Sequence, residues 1–174
     1  MRYWVTTDTH FGHAKLEEYC NRPKGFENLI LKHYRQMIKD DDILIHLGDF
    51  CVSEDTKWHK LFMGISNCKK WLIKGNYDTK SDSWYKSHGW DFVADSFKTK
   101  MFGFDIMLSH RPSWVKGDFD INVHGHLHNV YHRFLEEEIS CIESENYRLV
   151  MIENHYCLQT LKDVIKGNSI INFI

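Results

Sequence analysis

The chain lacks several features that would place it in a specialised class of protein. Its 22 Lys and Arg residues are balanced by 24 Asp and Glu, so the formal net charge over 174 residues is only −2. No global basic field therefore indicates a non-specific nucleic-acid binder. No apolar run approaches the length that a bilayer span requires. The amino terminus has no signal-peptide core, because Asp8 and His10 interrupt it, and we expect no membrane partner.

Cysteine pairs with metal or redox spacing are also absent. The five cysteines are odd in number and share no CxxC spacing, which favours free thiols in a reduced cytoplasmic setting over a disulfide framework. No internal repeat, linker or low-complexity tract divides the chain, so we predict one domain over residues 1–174.

Hydrophobic periodicity predicts a mixed α/β fold. Apolar residues at helical spacing indicate helices at 26–39, 55–65 and 82–89. Strand patterns occur at 2–7, 43–49, 69–76, 120–126, 129–135, 147–153 and 156–160, with a hairpin turning near Gly103. Strands and helices alternate early and strands dominate later, which favours a layered α/β arrangement.

Histidine is over-represented, with twelve residues, and the potential metal ligands cluster just after strands. They are Asp8, His10, Asp49, Asn76, His110, His124, His126 and His128. Because the carboxyl ends of strands in α/β sheets face one common crevice, these side chains are predicted to converge. A mixture of imidazole, carboxylate and amide ligands suits a pair of divalent transition metals.

Each piece alone has an ordinary structural explanation. Asp8 and His10 could form a turn or a cap, and the segments at 48–49 and 75–78 could be turns. The segment HGHLH (124–128) is harder to explain this way, since three imidazoles in five residues repel one another when protonated. The joint occurrence of all the pieces, each after a strand, favours one shared metal site.

Five short segments in order resemble the calcineurin-like metallophosphoesterase superfamily. They are DTHFGH (8–13), GDF (48–50), GNYD (75–78), SHRP (109–112) and GHLH (125–128). The chain is most similar to small, minimal bacterial or phage phosphoesterases without a capping domain. The resemblance implies an α/β fold, a four-layer α/β/β/α sandwich with mixed sheets, and a dinuclear site at the loop ends of both sheets.

The resemblance also implies seven ligands for two divalent metal ions. Three would hold the first ion: Asp8, His10 and His128. Three would hold the second: Asn76, His110 and His126. Asp49 would bridge the two ions, and a hydroxide between them would attack phosphorus. Mn²⁺ is the first expectation, with Fe, Zn, Ni or Co as alternatives.

For three further residues near these motifs, the sequence allows two roles each. Arg111 could bind phosphate in a fork geometry or pair with a surface acid. His13 could lie near the phosphate or simply pack. His124 could replace a neighbouring ligand, but the resemblance implies that the ligands of the GHxH element are His126 and His128, which leaves His124 to support them or to pack.

The GNYD segment departs from the usual GNHD or GNHE motif at Tyr77. The family histidine, steered by the acid at the position of Asp78, can help protonate the leaving alcohol. Tyrosine titrates near pH 10 and is a poorer proton donor. Its presence favours substrates with better leaving groups or diesters, unless His13 or His124 supplies the proton. Alternatively, Tyr77 packs and Asp78 only forms the turn.

These expectations combine into a metal-dependent hydrolase of phosphoric esters, with a phosphodiesterase favoured over a monoesterase. The expected substrate is a phosphate-ester small molecule or a nucleotide, and nucleic acid enters only as a substrate. A phosphomonoesterase is one alternative. A metal-binding scaffold with little activity is another, as in the retromer subunit of this type. A homodimer is left open.

Overall fold

The structure is a computed structural model that describes residues 1–112, 117–129 and 144–168. The helices are α1 (Leu16–Tyr19), α2 (Phe26–Met37), α3 (Asp55–Met63), α4 (Asp82–Ser87) and α5 (Leu161–Ile165). The first strands are β1 (Tyr3–Thr6), β2 (Ile43–His46), β3 (Lys69–Ile73), β4 (Phe92–Ala94) and β5 (Ser96–Met101). The remaining strands are β6 (Phe104–Ser109), β7 (Ile121–His124), β8 (Tyr147–Leu149) and β9 (Gln159–Thr160).

The strands form two mixed sheets. The first has the order β4-β3-β2-β1-β9, in which β1 to β4 run parallel and β9 pairs antiparallel with β1. The second has the order β5-β6-β7-β8, with an antiparallel hairpin β5–β6 followed by parallel pairs. This arrangement confirms the predicted α/β sandwich with mixed sheets.

The first sheet lies between two hydrophobic cores, because successive side chains along its strands point to opposite faces. Trp4, Leu44 and Leu72 point into one core, where they meet buried residues of α2, α3 and α4. Their chain neighbours Val5 and Ile45 point to the opposite face, where the buried residues of β6 and β7 complete a second core. Side chains that alternate with a period of two thus serve both faces of a buried sheet.

Helix α2 illustrates how sequence spacing becomes packing. Its buried residues Phe26, Ile30, Leu31 and Tyr34 follow helical spacing and enter the first core. The helix ends at Met37, and the next residue, Ile38, has an extended backbone (φ −83°, ψ 136°). The carboxylate of Asp42 then accepts hydrogen bonds from the Lys39 amide and the Trp4 indole, which fixes the turn into β2.

The observed strands are shorter at their carboxyl ends than the periodicity predicted. β2 ends at His46 and β3 at Ile73, because the following residues leave the sheet in turns that carry polar side chains. The predicted strand at 129–135 lies almost wholly outside the described residues. Its first residue, Asn129, is described and lies in a bend.

Four cysteines of the described segments are free thiols: Cys20, Cys51, Cys68 and Cys157. Cys141 lies outside the described residues. None of the helices formed by the described residues combines the length and the apolar character that a bilayer span requires.

One buried histidine in the first core lies away from the strand ends. His59 on α3 is 1% exposed, its Nδ1 donates to the Asp55 carbonyl at 2.8 Å, and its ring lies 4.4 Å from that of Phe50. Burial lowers the pKa of His59 to about 4, although the Asp55 carbonyl acts in the opposite direction. The native state therefore holds a neutral imidazole that the unfolded chain would protonate below pH 6.5.

We predict that His59→Phe reduces the pH dependence of stability. Because the folded-state pKa is depressed, the unfolded state binds more protons between pH 6.5 and 4, and wild-type stability falls on acidification. The substitution should remove about 1–3 kcal/mol of that loss. Denaturant titrations of metal-free protein at several pH values measure the difference. His155→Gln, at an exposed histidine, is the control and should keep the wild-type slope. Identical slopes for wild type and His59→Phe would contradict the prediction.

Candidate metal centre

The loops that follow the parallel strands continue side by side beyond the sheets. The Asp8 amide donates to the Gly48 carbonyl at 2.9 Å, and the His10 amide donates to the Asp49 carbonyl at 3.0 Å. In the second sheet, the Gly125 amide donates to the His110 carbonyl at 3.0 Å. These bonds join the loop ends within each sheet, and the hydrogen bond from the His126 amide to Asp8 Oδ2 at 2.8 Å brings the two sets to one crevice, as the positions of the polar residues predicted.

Four of the candidate ligands have left-handed backbone conformations. The φ angles are 50° at Asp8, 45° at His10, 55° at Asp49 and 71° at His126. Residues other than glycine rarely adopt this region, and such strain is typical of functional sites whose surroundings hold the backbone in place. The turns aim these side chains into the crevice.

The first group of ligand-capable atoms comprises Asp8, His10 and His128. The Nε2 atoms of His10 and His128 are 3.2 Å apart. Each also lies near Asp8 Oδ1, at 3.6 Å from His10 and 3.5 Å from His128. Asp8 and His10 are buried, with 2% and 3% of their surfaces exposed.

The second group comprises Asp49, His110 and His126. His110 Nε2 lies 3.1 Å from His126 Nδ1 and 3.4 Å from Asp49 Oδ2. The side-chain oxygen of Asn76 is 3.2 Å from the same His110 nitrogen, so the amide belongs to this group as well.

Asp49 lies between the two groups. Its Oδ2 is 3.5 Å from His10 Nε2 in the first group and 3.4 Å from His110 Nε2 in the second. Its other oxygen, Oδ1, accepts a hydrogen bond from the Tyr77 amide at 2.8 Å. One oxygen of Asp49 is thus held by the backbone and the other faces both groups.

Asp78 fixes the backbone beneath this carboxylate. Its oxygens accept from the amides of Asp49 at 2.7 Å, Gly75 at 2.8 Å and Phe50 at 3.1 Å. Burial and the nearby Asp49 charge raise the pKa of Asp78 to about 6, against the lowering effect of the amides. Asp78 therefore joins the GDF and GNYD loops, and its oxygens are already used by the backbone.

The residues present fit divalent cations. Asp8 Oδ2 accepts from the Thr7 hydroxyl at 2.6 Å and the His126 amide at 2.8 Å, whereas the buried Oδ1 has no hydrogen-bond partner. Ligand atoms bound about 2.0–2.2 Å from one cation lie roughly 3.0–3.5 Å from one another. The separations within both groups are close to this range, and the imidazole and carboxylate donors suit intermediate divalent metals.

The backbone also sets the orientation of His110. Its Nδ1 donates to the Leu47 carbonyl at 2.7 Å. Nε2 therefore faces Asp49 and Asn76. Burial lowers the pKa of His110, but the Asp49 and Asp8 carboxylates outweigh this effect and raise it to about 9 in the metal-free site.

Two residues that the sequence interpretation missed contact the first group. Glu153 Oε1 accepts from His128 Nδ1 at 2.7 Å and from the Arg22 guanidinium at 2.6 Å. Burial would raise the pKa of Glu153, but the neighbouring His128 and Arg22 cations lower it to about 2. Glu153 was the last residue of the predicted strand at 147–153, but the strand ends at Leu149 and Glu153 lies in a 3₁₀ helix at Ile152–Asn154, so the rule of polar residues after strands did not mark it. Arg22 carries no such signal either.

A cleft of about 460 Å³ opens over both groups. Besides the candidate ligands, it is lined by His13, Lys15, Leu16, Tyr19, Cys20, Tyr77 and Arg111. Tyr77 is 45% exposed, and its ring centroid lies 5.2 Å from that of His10 and 6.2 Å from that of His13. The structure thus brings His13, Tyr77 and Arg111 to the mouth of the candidate site.

His124 lies apart from both groups. It is fully buried, its Nδ1 contacts the Gly125 carbonyl at 3.1 Å, and burial lowers its pKa to about 4. Its ring packs 6.1 Å from that of Tyr147. Of the two histidines considered as replacements for the missing proton donor, only His13 lines the cleft.

Comparisons with known proteins identify a shared fold and give no activity for this chain. No family model matches the chain. Over 138 residues it is 28% identical to the uncharacterized protein MJ1445 of Methanocaldococcus jannaschii, spanning 73% of this chain and 69% of that protein. Its structure is similar to the protein of unknown function AQ665 from Aquifex aeolicus, with a TM-score of 0.76, 24% identity, and 95% and 98% of the two chains covered.

A more distant likeness is to a novel archaeal phosphodiesterase, with a TM-score of 0.49, 19% identity, and 87% and 82% of the two chains covered. The Aquifex protein shows a shared fold over nearly the whole of both chains.

We predict that Gly75→Ala displaces Asp49. A β-carbon at Gly75 would lie 2.2 Å from Asp49 Oδ1 and 2.5 Å from the Asp49 amide nitrogen. Relieving this overlap should lower the free energy of unfolding by about 1–3 kcal/mol and weaken divalent-metal binding. Thermal unfolding of metal-free protein and calorimetric titration with Mn²⁺ measure the two effects.

Gly64→Ala is the matched control, since a β-carbon there meets only ordinary contacts at 3.4 Å and 3.6 Å. Wild-type stability and metal binding in Gly75→Ala would show that the close approach to Asp49 is unimportant.

Proposed function

We propose that this protein is a metal-dependent phosphoric ester hydrolase of the calcineurin-like metallophosphoesterase type. The observation that carries the proposal is the position of Asp49 Oδ2, which lies within 3.5 Å of a histidine nitrogen in each of two ligand groups. A carboxylate shared between two cation positions would hold two cations close enough to clamp both oxygens of an in-line displacement at phosphorus.

In this proposal, two divalent cations, with Mn²⁺ as the first candidate, occupy the two groups. The first would be held by Asp8, His10 and His128. The second would be held by Asn76, His110 and His126. Asp49 would contact both. When bound, the cations supply Lewis-acid stabilisation of phosphoryl oxygens and lower the pKa of coordinated water.

The chain's own residues then position and neutralise the ester. Arg111 lines the cleft beside His126, where its guanidinium can donate two parallel hydrogen bonds to a phosphoryl group. The exposed Asn76 amide can donate to the same group while its oxygen faces His110. The charge of Arg111 and the N–H dipole of Asn76 would offset the negative charge that develops on the phosphoryl oxygens.

The cleft favours a substrate larger than inorganic phosphate. Its volume of about 460 Å³ falls in the range of small-molecule sites. Lys15 supplies a further cation, and the exposed aromatic rings of Tyr19 and Tyr77 supply flat apolar surface at the mouth. We therefore propose a nucleotide or a nucleic-acid-derived phosphodiester as the substrate class.

The weak acid at the position of the family's proton donor also favours a diester or another ester with a good leaving group. Tyr77 occupies the mouth of the cleft, where a phenol is a weaker acid than an imidazolium. Asp78 is bonded to the backbone in this loop, where its oxygens accept from three amides. A substrate whose leaving group needs little protonation suits this arrangement.

We predict that Mn²⁺-loaded protein hydrolyses bis-p-nitrophenyl phosphate and that Asp49→Asn lowers the metal-stimulated rate at least about 100-fold. The substitution keeps the shape of the side chain but removes the charge shared by the two groups. Asp118→Asn, at an exposed acid, is the control and should keep the wild-type rate. Equal rates for wild type and Asp49→Asn, or no metal-stimulated rate with any ester, would refute the hydrolase proposal. Metal binding without hydrolysis would favour the scaffold alternative.

We further predict that Tyr77→His raises the rate with p-nitrophenyl phosphate relative to the diester, by up to about 100-fold, since it restores an imidazole that titrates near neutrality. Tyr77→Phe removes only the phenol oxygen and should keep the wild-type preference for the diester. A wild-type enzyme that hydrolyses the monoester faster than the diester would contradict the assignment. A large loss of diesterase activity in Tyr77→Phe would show that the phenol takes part directly.

A further inference from the structure

Arg22 clamps the loop that carries two of the candidate ligands. Its guanidinium donates to the Asp8 carbonyl at 2.7 Å and to the Thr9 carbonyl at 3.0 Å. These carbonyls belong to the left-handed turn at Asp8 and His10. A cation with fixed fork geometry is thereby bonded to the backbone that aims both side chains at the first group.

The same guanidinium binds a carboxylate from a distant part of the chain. Arg22 Nε and one terminal nitrogen donate to Glu153 Oε1 at 3.1 Å and 2.6 Å. The two side chains are 0% and 4% exposed. Buried ion pairs contribute little net stability on average, because desolvation offsets the attraction. The contribution of the Arg22–Glu153 pair therefore lies in the hydrogen bonds that fix the positions of its two side chains.

Glu153 in turn bonds to the third ligand of the first group. Its Oε1 lies 2.7 Å from His128 Nδ1. A carboxylate can only accept, so the proton must be on Nδ1. Nε2, the ligand atom of His128, then faces Asp8 Oδ1 and His10 Nε2, at 3.5 Å and 3.2 Å.

Among the described residues, the contact of His110 in the second group is of another kind. There, Nδ1 donates to the neutral Leu47 carbonyl. Glu153 also forms a group of ligand-capable atoms with Cys20 and His128. The Arg22 guanidinium 2.6 Å from Glu153 disfavours a cation at that position, and the contact supports His128 instead.

We propose that Glu153 and Arg22 are positioning residues of the first metal position. Glu153 holds His128 in the Nδ1-protonated tautomer, and Arg22 fixes Glu153 relative to the loop of Asp8 and His10. Carboxylates that accept from the far nitrogen of a metal-bound histidine orient the ring and increase its basicity. The inference rests on the proposed function, because it assumes that the first group binds a cation.

The test measures binding of two Co²⁺ ions by absorption spectroscopy and calorimetry in wild type, Glu153→Gln and Arg22→Lys. Glu153→Gln should weaken one of the two sites about 10–100-fold and leave the other unchanged. Arg22→Lys keeps the charge but loses the fork, and it should weaken the same site. Glu145→Gln, at an exposed glutamate, is the matched control and should bind like wild type.

A second readout needs no variant. In Zn²⁺-loaded wild type, the ¹⁵N spectrum of the imidazoles should show a slowly exchanging proton on His128 Nδ1. An Nδ1 without a proton would overturn the inference even if Glu153→Gln fails to fold.

The two proposals fail differently. Wild type that binds two ions and hydrolyses phosphoesters, with unchanged affinities in Glu153→Gln, would overturn the positioning role and leave the hydrolase proposal intact. Wild type that binds no divalent ion would overturn the hydrolase proposal and, with it, this inference.

Discussion

The candidate site depends on the placement of one carboxylate, that of Asp49. The residue lies just beyond β2 in a left-handed turn, its amide is bonded to Asp78, and its Oδ1 is bonded to the Tyr77 amide. Only Oδ2 is left to face the histidines of both groups. Gly75 is required beside it, because a β-carbon there would lie 2.2 Å from Oδ1. Backbone hydrogen bonds and close packing, rather than the two histidines alone, thus determine where the shared oxygen points.

The fold supplies these constraints by bringing five strand ends together. In the first sheet, the parallel strands β1, β2 and β3 deliver Asp8, Asp49 and Asn76. In the second sheet, β6 and β7 deliver His110 and the GHLH segment. The core between the sheets is apolar, so these polar side chains find polar partners only in the crevice at its edge.

The sequence predicted much of this arrangement. The α/β sandwich followed from strand and helix periodicity together with the family resemblance, and polar residues after strand ends marked the crevice. Periodicity did not predict the left-handed turns at Asp8 and His10, because they are held by contacts with distant loops. The same reason applies to Arg22 and Glu153, which are 131 positions apart in the chain and meet only in the folded structure. Sequence spacing left His13 and His124 equivalent, and only burial distinguished them.

Anomalous scattering from crystals grown with Mn²⁺ tests the two metal positions most directly. We expect two peaks in the crevice, about 3.5–4 Å apart as in two-metal phosphoesterases, with Asp49 Oδ2 in contact with both. One peak alone, or peaks bound by residues other than these Asp, Asn and His side chains, would contradict the central claim that Asp49 joins two metal positions.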